Sequence, residues 1–351
     1  MLHHNTEQGY SIVELMIAIV IGLLLIIAAT GTYIVQKRSH VVQESVSEVN
    51  TQSKIAHDLL AGEVRSAGFG LSVELNEEPV NTFTSIITPV DDTLGPDAIT
   101  VVGGFRMIGT LWPTGSGAVM CPASVEAGTT NVRIKYTGTD GPNLTDKRYL
   151  SIDGVETVQV SNCTIGASGI CDPDNITLDR PLSQNFPLQN ATGGGSCTAA
   201  GGGNCTAGRP VYLVEDTTFC VDSDAILHRI RRNANAAACV PAATSDDEAI
   251  AENIEDLQFA YAVDVNEDGV MDDQNADGNF DDNDFLNGVD VADPATIMAF
   301  RINVLARSDR PDLNYKGMGN PPDQIENRNL SDTNDNFRRR WWRTVTTMRN
   351  Q

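Results

Sequence analysis

From Leu15 to Val35 the chain runs 21 residues without a charged side chain, and the residue just before that run, Glu14, is a carboxylate. A helix of that length covers about 31 Å, the thickness of a bilayer core. A bare carboxylate near its start costs about 2.5–3.5 kcal/mol in lipid even on lenient insertion scales, so Glu14 either sits at the interface or has a partner. Helical spacing continues beyond the apolar run: Val42, Val46, Val49, Ile55, Leu59 and Leu60 form an apolar stripe among Gln, Ser, Glu and Lys. "HDLLAGEVRSAGFG" (57–70) reads as its end, with Gly68 and Gly70 as breakers. The pattern predicts one helix of about 55 residues, its first half in apolar surroundings and its second the spine of a soluble head.

The formal net charge of −23 excludes a sequence-independent nucleic-acid binder, which needs a basic footprint. It also disfavours adsorption of the whole chain to an anionic lipid surface. Seven cysteines (121, 163, 171, 197, 205, 220 and 239) all follow the apolar run, with no CxxC spacing and no nearby cluster of histidines, which argues against zinc. In Gly-, Ser- and Asn-rich surroundings they read as disulfides of an oxidising compartment. Proximity suggests Cys163–Cys171, Cys197–Cys205 and Cys220–Cys239, leaving Cys121 over; sequence does not fix the pairing. Topology signals conflict: Lys37 and Arg38 follow the helix while no Lys or Arg precedes it, which alone would keep the body in the cytoplasm.

After residue 70, short strand-like runs alternate with turn clusters: 97–104, 131–136, 210–216, 226–232 and 296–308. The last alternates best, with Met298, Phe300, Ile302 and Val304 on one face and Arg301 and Asn303 on the other. The Gly-rich stretch 190–205 has no preceding strand and no Lys-Ser/Thr, so it is no phosphate cradle, and Ser116 lacks a G-x-S-x-G frame. No paired catalytic candidates remain, and the chain reads as non-enzymatic.

The chemical centre is "DVNEDGVMDDQNADGNFDDND" (264–284), D-x-N-x-D-G-x-x-D twice at a period of nine. The first unit is Asp264, Asn266, Asp268, Gly269 and Asp272; the second is Asp273, Asn275, Asp277, Gly278 and Asp281. Oxygen side chains at alternate positions around a glycine turn suit calcium, which takes six to eight oxygens. The twelfth-position Glu of an EF-hand is replaced by Asn275 and Asp284, so the stretch is closer to the compact Asp-rich calcium loops of extracellular modules, and the second unit is more complete. Nine acidic and no basic residues lie here; without them the net charge would be −14, so an empty loop would repel itself.

The junction Gly9, Tyr10, an alcohol, two aliphatics, Glu14, Leu15, Met16 resembles that of type IV prepilins. The resemblance implies cleavage between Gly9 and Tyr10 by prepilin peptidase, N-methylation of Tyr10, and pairing of Glu14 with the terminal amine of a neighbouring subunit in a filament. Tyr10 and a leader without Lys or Arg depart from the usual pattern, and a simple signal anchor is the plain alternative. "AGEVRSAGFG" (61–70), "AIAENIEDLQFAYAVDVNEDGVMDD" (249–273), "FRINVLARS" (300–308) and "FRRRWWRTVTTMRN" (337–350) resemble the PilW-type minor pilins of type IV pili. What this implies is an α+β, type IV pilin-like fold: a leader (1–9), a transmembrane or filament-core helix (10–35), its periplasmic half (36–70) and a periplasmic β-rich head (71–351). In that head a long helix would pack on an antiparallel sheet, with large disulfide-containing loop insertions. The implied role is assembly, in the initiation and at the tip of a type IV pilus. Implied partners are other minor pilins, the major pilin, prepilin peptidase and the inner membrane, with no nucleic acid. A minor pseudopilin of a type II secretion system and a calcium-dependent tip adhesin are the alternatives. Arg338, Arg339, Arg340 and Arg343 would either dock an acidic neighbour or protect a solvated edge strand.

Overall fold

A computed structural model describes residues 11–71, 79–112, 124–137, 148–165, 170–187, 205–232, 246–313, 322–330 and 335–348, with residues 75, 144, 189–190, 239 and 315. The one α-helix among the described residues, α1, spans Ile12–Arg65. The start is fixed by a capping box: the Ser11 amide donates to Glu14 Oε2 at 3.0 Å while Ser11 Oγ accepts from the Val13 amide at 3.3 Å. The most apolar window of α1 is wholly exposed, and the helix is long and apolar enough to cross a membrane. Its three threonines are satisfied internally, Thr30 donating to the Ile26 carbonyl at 2.8 Å, Thr32 to Ala28 at 3.0 Å and Thr51 to Ser47 at 2.8 Å.

Only the second half of α1 packs, along Val49, Ser53, Ala56, Leu60 and Val64. This line is rotated from the expected stripe: Val46 and Ile55 stay exposed, while Ser53 and Ala56 are fully buried. Small side chains let the sheet come close, and Ser53 hides its hydroxyl by donating to the Val49 carbonyl at 2.7 Å.

Twelve strands of four or more residues follow among the described residues: β1 Ile87–Val90, β2 Ala98–Trp112, β3 Asn131–Tyr136, β4 Tyr149–Ile152, β5 Glu156–Ile165, β6 Cys171–Leu178, β7 Arg209–Val221, β8 Leu227–Arg231, β9 Asp246–Ala251, β10 Ile254–Val263, β11 Ile297–Arg307 and β12 Arg339–Thr347. The first nine pair in the order β1-β2-β3-β6-β5-β4-β7-β8-β9, and β7 also pairs with β2, so the six strands from β2 to β7 close into a barrel. Closure removes free edges from its wall. The interior is filled by Ile108, Leu111, Ile134, Leu150, Val158 and Ile176 among others, a packed core. Strands β2 and β7 approach tightly: a Cβ on Gly104 would lie 2.8 Å from Tyr212 Cβ.

The barrel replaces the large loop insertions expected for the middle of the chain. Cys163 and Cys171 are bonded to each other, but across β5 and β6 of the barrel wall, and Cys220 of β7 is bonded to Cys239. Cys121 and Cys197 lie outside the described residues.

The C-terminal strands form a second antiparallel sheet, residues 286–287 beside β10, then β11, then β12. Leu257, Phe259 and Tyr261 of β10 and Phe300, Ile302 and Val304 of β11 share one core with Leu60 and Val64 of α1. The opposite face is covered as well, and Arg301 and Asn303 are buried. The 324–329 hairpin covers them: Glu326 accepts from Arg301 Nε and from Asn303 Nδ2, both at 2.7 Å.

Candidate functional site

The acidic stretch 264–284 leaves the end of β10, and its first residue is tied down by the Asp264 amide donating to the Thr296 carbonyl at 2.8 Å. The two units fold alike. Asp264 Oδ2 accepts from the Gly269 amide at 2.8 Å and Asn266 Oδ1 from the Asp268 amide at 2.9 Å. In the second unit Asp273 Oδ2 accepts from the Gly278 amide at 2.6 Å and Asn275 Oδ1 from the Asp277 amide at 2.9 Å. Gly269 and Gly278 have φ of 81° and 93°, a left-handed conformation that explains glycine at one phase of both units.

The repeat breaks at its last acid. In the first unit Asp272 closes the loop, accepting from the Val265 amide at 2.7 Å and from Asn266 Nδ2 at 3.2 Å. In the second that place belongs to Asp284, which accepts from the Gln274 amide at 2.9 Å and the Asn275 amide at 3.2 Å. Asp281 instead caps a short turn through the Asn283 amide at 2.7 Å. The Asp281 amide, followed by those of Asn275 and Gln274, holds the Asp284 carboxyl below the usual carboxylate range.

Among the described residues no three His, Cys, Asp or Glu side chains are gathered so as to hold a metal ion. The carboxylates face the loop's own amides, and any cation would have to draw on the two asparagines and backbone carbonyls as well. The stretch also has basic contacts that its own composition hides. Arg301 Nη1 donates to the Asp282 carbonyl at 2.7 Å with its guanidinium 4.5 Å from the Phe285 ring centre, and Arg343 pairs with the Asp282 carboxylate, which lowers that carboxyl's pKa. The polar position at Arg301, inside an otherwise apolar alternation, was the available signal.

The other terminal arginines are likewise engaged within the chain. Arg338 reaches Asp312 at 2.7 Å, Arg339 reaches Glu255 and Asp335 at 2.5–2.8 Å, and Arg340 lies over Trp342, so β12 is an edge strand whose charges are mostly paired internally. At the amino end, Gly9 and Tyr10 lie outside the described residues. Glu14 is held by its own chain, through the Ser11 amide.

With this geometry in place, two family models match the chain. One, type IV pilus-assembly protein W (PilW), covers residues 211–350, and the other, the prokaryotic N-terminal methylation motif, covers residues 4–30. Together they are consistent with a PilW-type prepilin-like protein, and the methylation motif with the apolar helix fits a membrane-anchored, pilin-type protein. The first match spans the end of the barrel wall and the whole C-terminal sheet that packs on α1, while most of the barrel falls outside both. No curated protein and no solved structure matches the chain.

Proposed function

We propose that this chain is a minor pilin that takes part in initiating a type IV pilus, in a priming or tip complex, after cleavage between Gly9 and Tyr10. The observation that carries the reading is the division of α1. Its capped first half exposes Ile12, Leu15, Leu24 and Ile27 at 59–77%, while its second half is the spine of a folded head. An apolar surface of this size needs lipid before assembly and other apolar helices afterwards. The two family matches support the same reading, and the role is structural. The head lies in the periplasm, where the two disulfides can persist.

Glu14 sets register in this proposal. Its carboxylate already lies 3.0 Å from the Ser11 amide, one residue from the amine that cleavage would create. In a low-dielectric helical core an unpaired charge is penalised, so only an axial offset that brings amine and carboxylate together is tolerated.

The second element is calcium uptake by 264–284, chiefly by Asp273, Asn275, Asp277 and Asp284, with Asp264, Asn266, Asp268 and Asp272 as the weaker first unit. Two identical glycine turns carrying oxygen side chains support it.

The test is mass spectrometry of the amino terminus in membranes and in sheared surface filaments. A chain starting at N-methylated Tyr10 in both fractions is the expected result. The same terminus in membranes only would favour a pseudopilin, and an intact Met1 would overturn the pilin reading.

A further inference from the structure

The level of each part of the head along α1 can be read from two contacts. Trp342 of β12 packs on His57 at 5.9 Å between ring centres, and Thr346 Oγ1 accepts from Arg65 Nε at 3.2 Å. Four strand residues rise about 13 Å and eight helical residues about 12 Å, so β12 and α1 run side by side in the same direction. Following β12 backward from Trp342 therefore descends toward lower helix numbers, that is, toward the apolar run. Arg338 and the loop that leaves β11 lie at this lower end. There a groove of about 930 Å³ opens between α1 and residues 309–313, and its helix side begins at Ile34, Lys37 and Arg38.

That loop is braced and its tip is bare. Arg338 holds Asp312 at 2.7 Å and lies 4.7 Å from the Tyr315 ring centre, fixing the chain on both sides of Leu313. Leu313 is 85% exposed, among the most exposed large apolar side chains of the head. The Arg310 side chain is 90% exposed, and Lys37 and Arg38 are exposed on the helix opposite.

We propose that the 309–313 loop rests on the bilayer that α1 crosses, with Leu313 entering the interface and Arg310, Lys37 and Arg38 meeting lipid phosphates. This rests on the reading of α1 as a membrane helix. The apolar run stops at Val35, so Lys37 and Arg38 stand at the headgroup level, and the groove walled by the loop extends down the helix to them. An apolar tip beside cationic side chains with long apolar stems is the combination that such an interface accommodates. Of the groove's own acids, Asp309 is offset by Arg310 at 3.3 Å and Asp312 by Arg338 at 2.7 Å, while Glu44 and Glu48 stand about 9 and 15 Å above Arg38 along the helix, and the remaining negative charge more than a Debye length of about 8 Å away is screened. The contact would fix the head's tilt on the membrane before it enters any assembly.

The test uses the full chain in nanodiscs of phosphatidylethanolamine and phosphatidylglycerol, with a photo-reactive benzoylphenylalanine placed at position 313, 21 or 94. Position 313 is exposed, so its replacement removes no packing. Leu94 is also exposed, at 89%, and its neighbour Gly95 accepts from Gln258, which is in register with Asn303 and Arg343 beside Trp342, so Leu94 stands near the level of His57, about 33 Å above Val35. Lipid adducts at 21 and 313 but not at 94 are expected. An adduct at 21 without one at 313 refutes the lipid contact and leaves the membrane helix standing. No adduct at 21 removes the membrane helix and this contact with it. Cross-linking of 313 to a second copy of the chain, without lipid, would make the groove a subunit interface and overturn the proposal.

Discussion

The Phe259 amide donates to Asp97 Oδ2 at 2.8 Å, while the Asp97 amide donates to the Leu257 carbonyl at 2.7 Å. One aspartate thus pairs, as a strand would, with the part of the β10 edge that residues 286–287 leave open, and the next residue starts β2. It is the stitch between the barrel and the sheet on α1. Burial pushes the Asp97 carboxyl up to about 8, despite the Asp92 and Phe259 amides, which donate to its two oxygens and favour the ionised form.

Asp97→Ala should therefore destabilise the junction by about 3 kcal/mol, since it leaves buried amides without an acceptor. Chemical unfolding of the detergent-solubilised chain measures this. The pH dependence has a definite sign. Between the ordinary value of 3.8 and about 8 the folded state keeps the proton and the unfolded state releases it, so stability attributable to Asp97 falls as pH rises through that window. Asp97→Asn should flatten this slope, and an unchanged slope would show that Asp97 ionises normally.

Arg301 and Glu326 are each only 9% exposed at the side chain, and Asn303 donates to the same carboxylate. Arg301→Ala leaves that carboxylate buried without its cation and should cost about 3–5 kcal/mol. The paired replacement Arg301→Met with Glu326→Met should cost clearly less than the sum of the single changes. A thermal-unfolding double-mutant cycle reads the difference, and additivity would mean that the pair is not coupled.

Glu14→Ala removes the capping box and Glu14→Gln keeps an acceptor for the Ser11 amide while removing the charge. If the charge sets subunit register, both variants should be cleaved and inserted, yet enter sheared filaments at a small fraction of the wild-type amount. Normal incorporation of the Gln variant would reduce Glu14 to a helix cap.

Millimolar calcium should raise the melting temperature of the full chain, and Asp277→Ala should abolish most of the gain. Asp281→Ala should matter less than Asp284→Ala, because Asp284 and not Asp281 closes the second unit. No rise with calcium would dismiss the ion.

Reduction of the two disulfides offers an independent probe of the barrel. The Cys163–Cys171 link closes a separation of 8 residues and Cys220–Cys239 one of 19, so chain entropy predicts about 3 kcal/mol for each, the longer slightly more. Cys163→Ser with Cys171→Ser should lower the midpoint of barrel unfolding, followed by urea titration.

The helix and the C-terminal strands were legible because their residues obey one period each. The stretch 296–308 was expected as a strand and is β11, Ile297–Arg307; the helix end was placed within 57–70 and falls at Arg65. Three strands of the barrel were expected as well, at 97–104, 131–136 and 210–216, but its closure was not legible. Its β5 and β6 carry Ser161, Asn162, Cys163 and Asp172, Asp174, Asn175, a composition that mimics loops, and closure depends on non-local pairings such as β7 with β2 that no local pattern announces. The burial of Arg301 was not legible, because the hairpin that covers it arrives only some twenty residues later. In the acidic stretch, the repeat of nine predicted the glycine turns but hid the shift from Asp281 to Asp284, which only the path of the chain reveals.

The core that joins Leu60 and Val64 to Phe259 and Phe300 brings together segments some two hundred residues apart. The barrel, by contrast, closes within residues 98–221. Contacts so distant in sequence form late, because the entropy of closing the loop must be overcome first. A chain delivered from its amino end would complete the barrel while the inner stripe of α1 still lacked its sheet. For that interval the stripe stays uncovered, so the spine of the head is sealed only when residues 254–347 have been delivered.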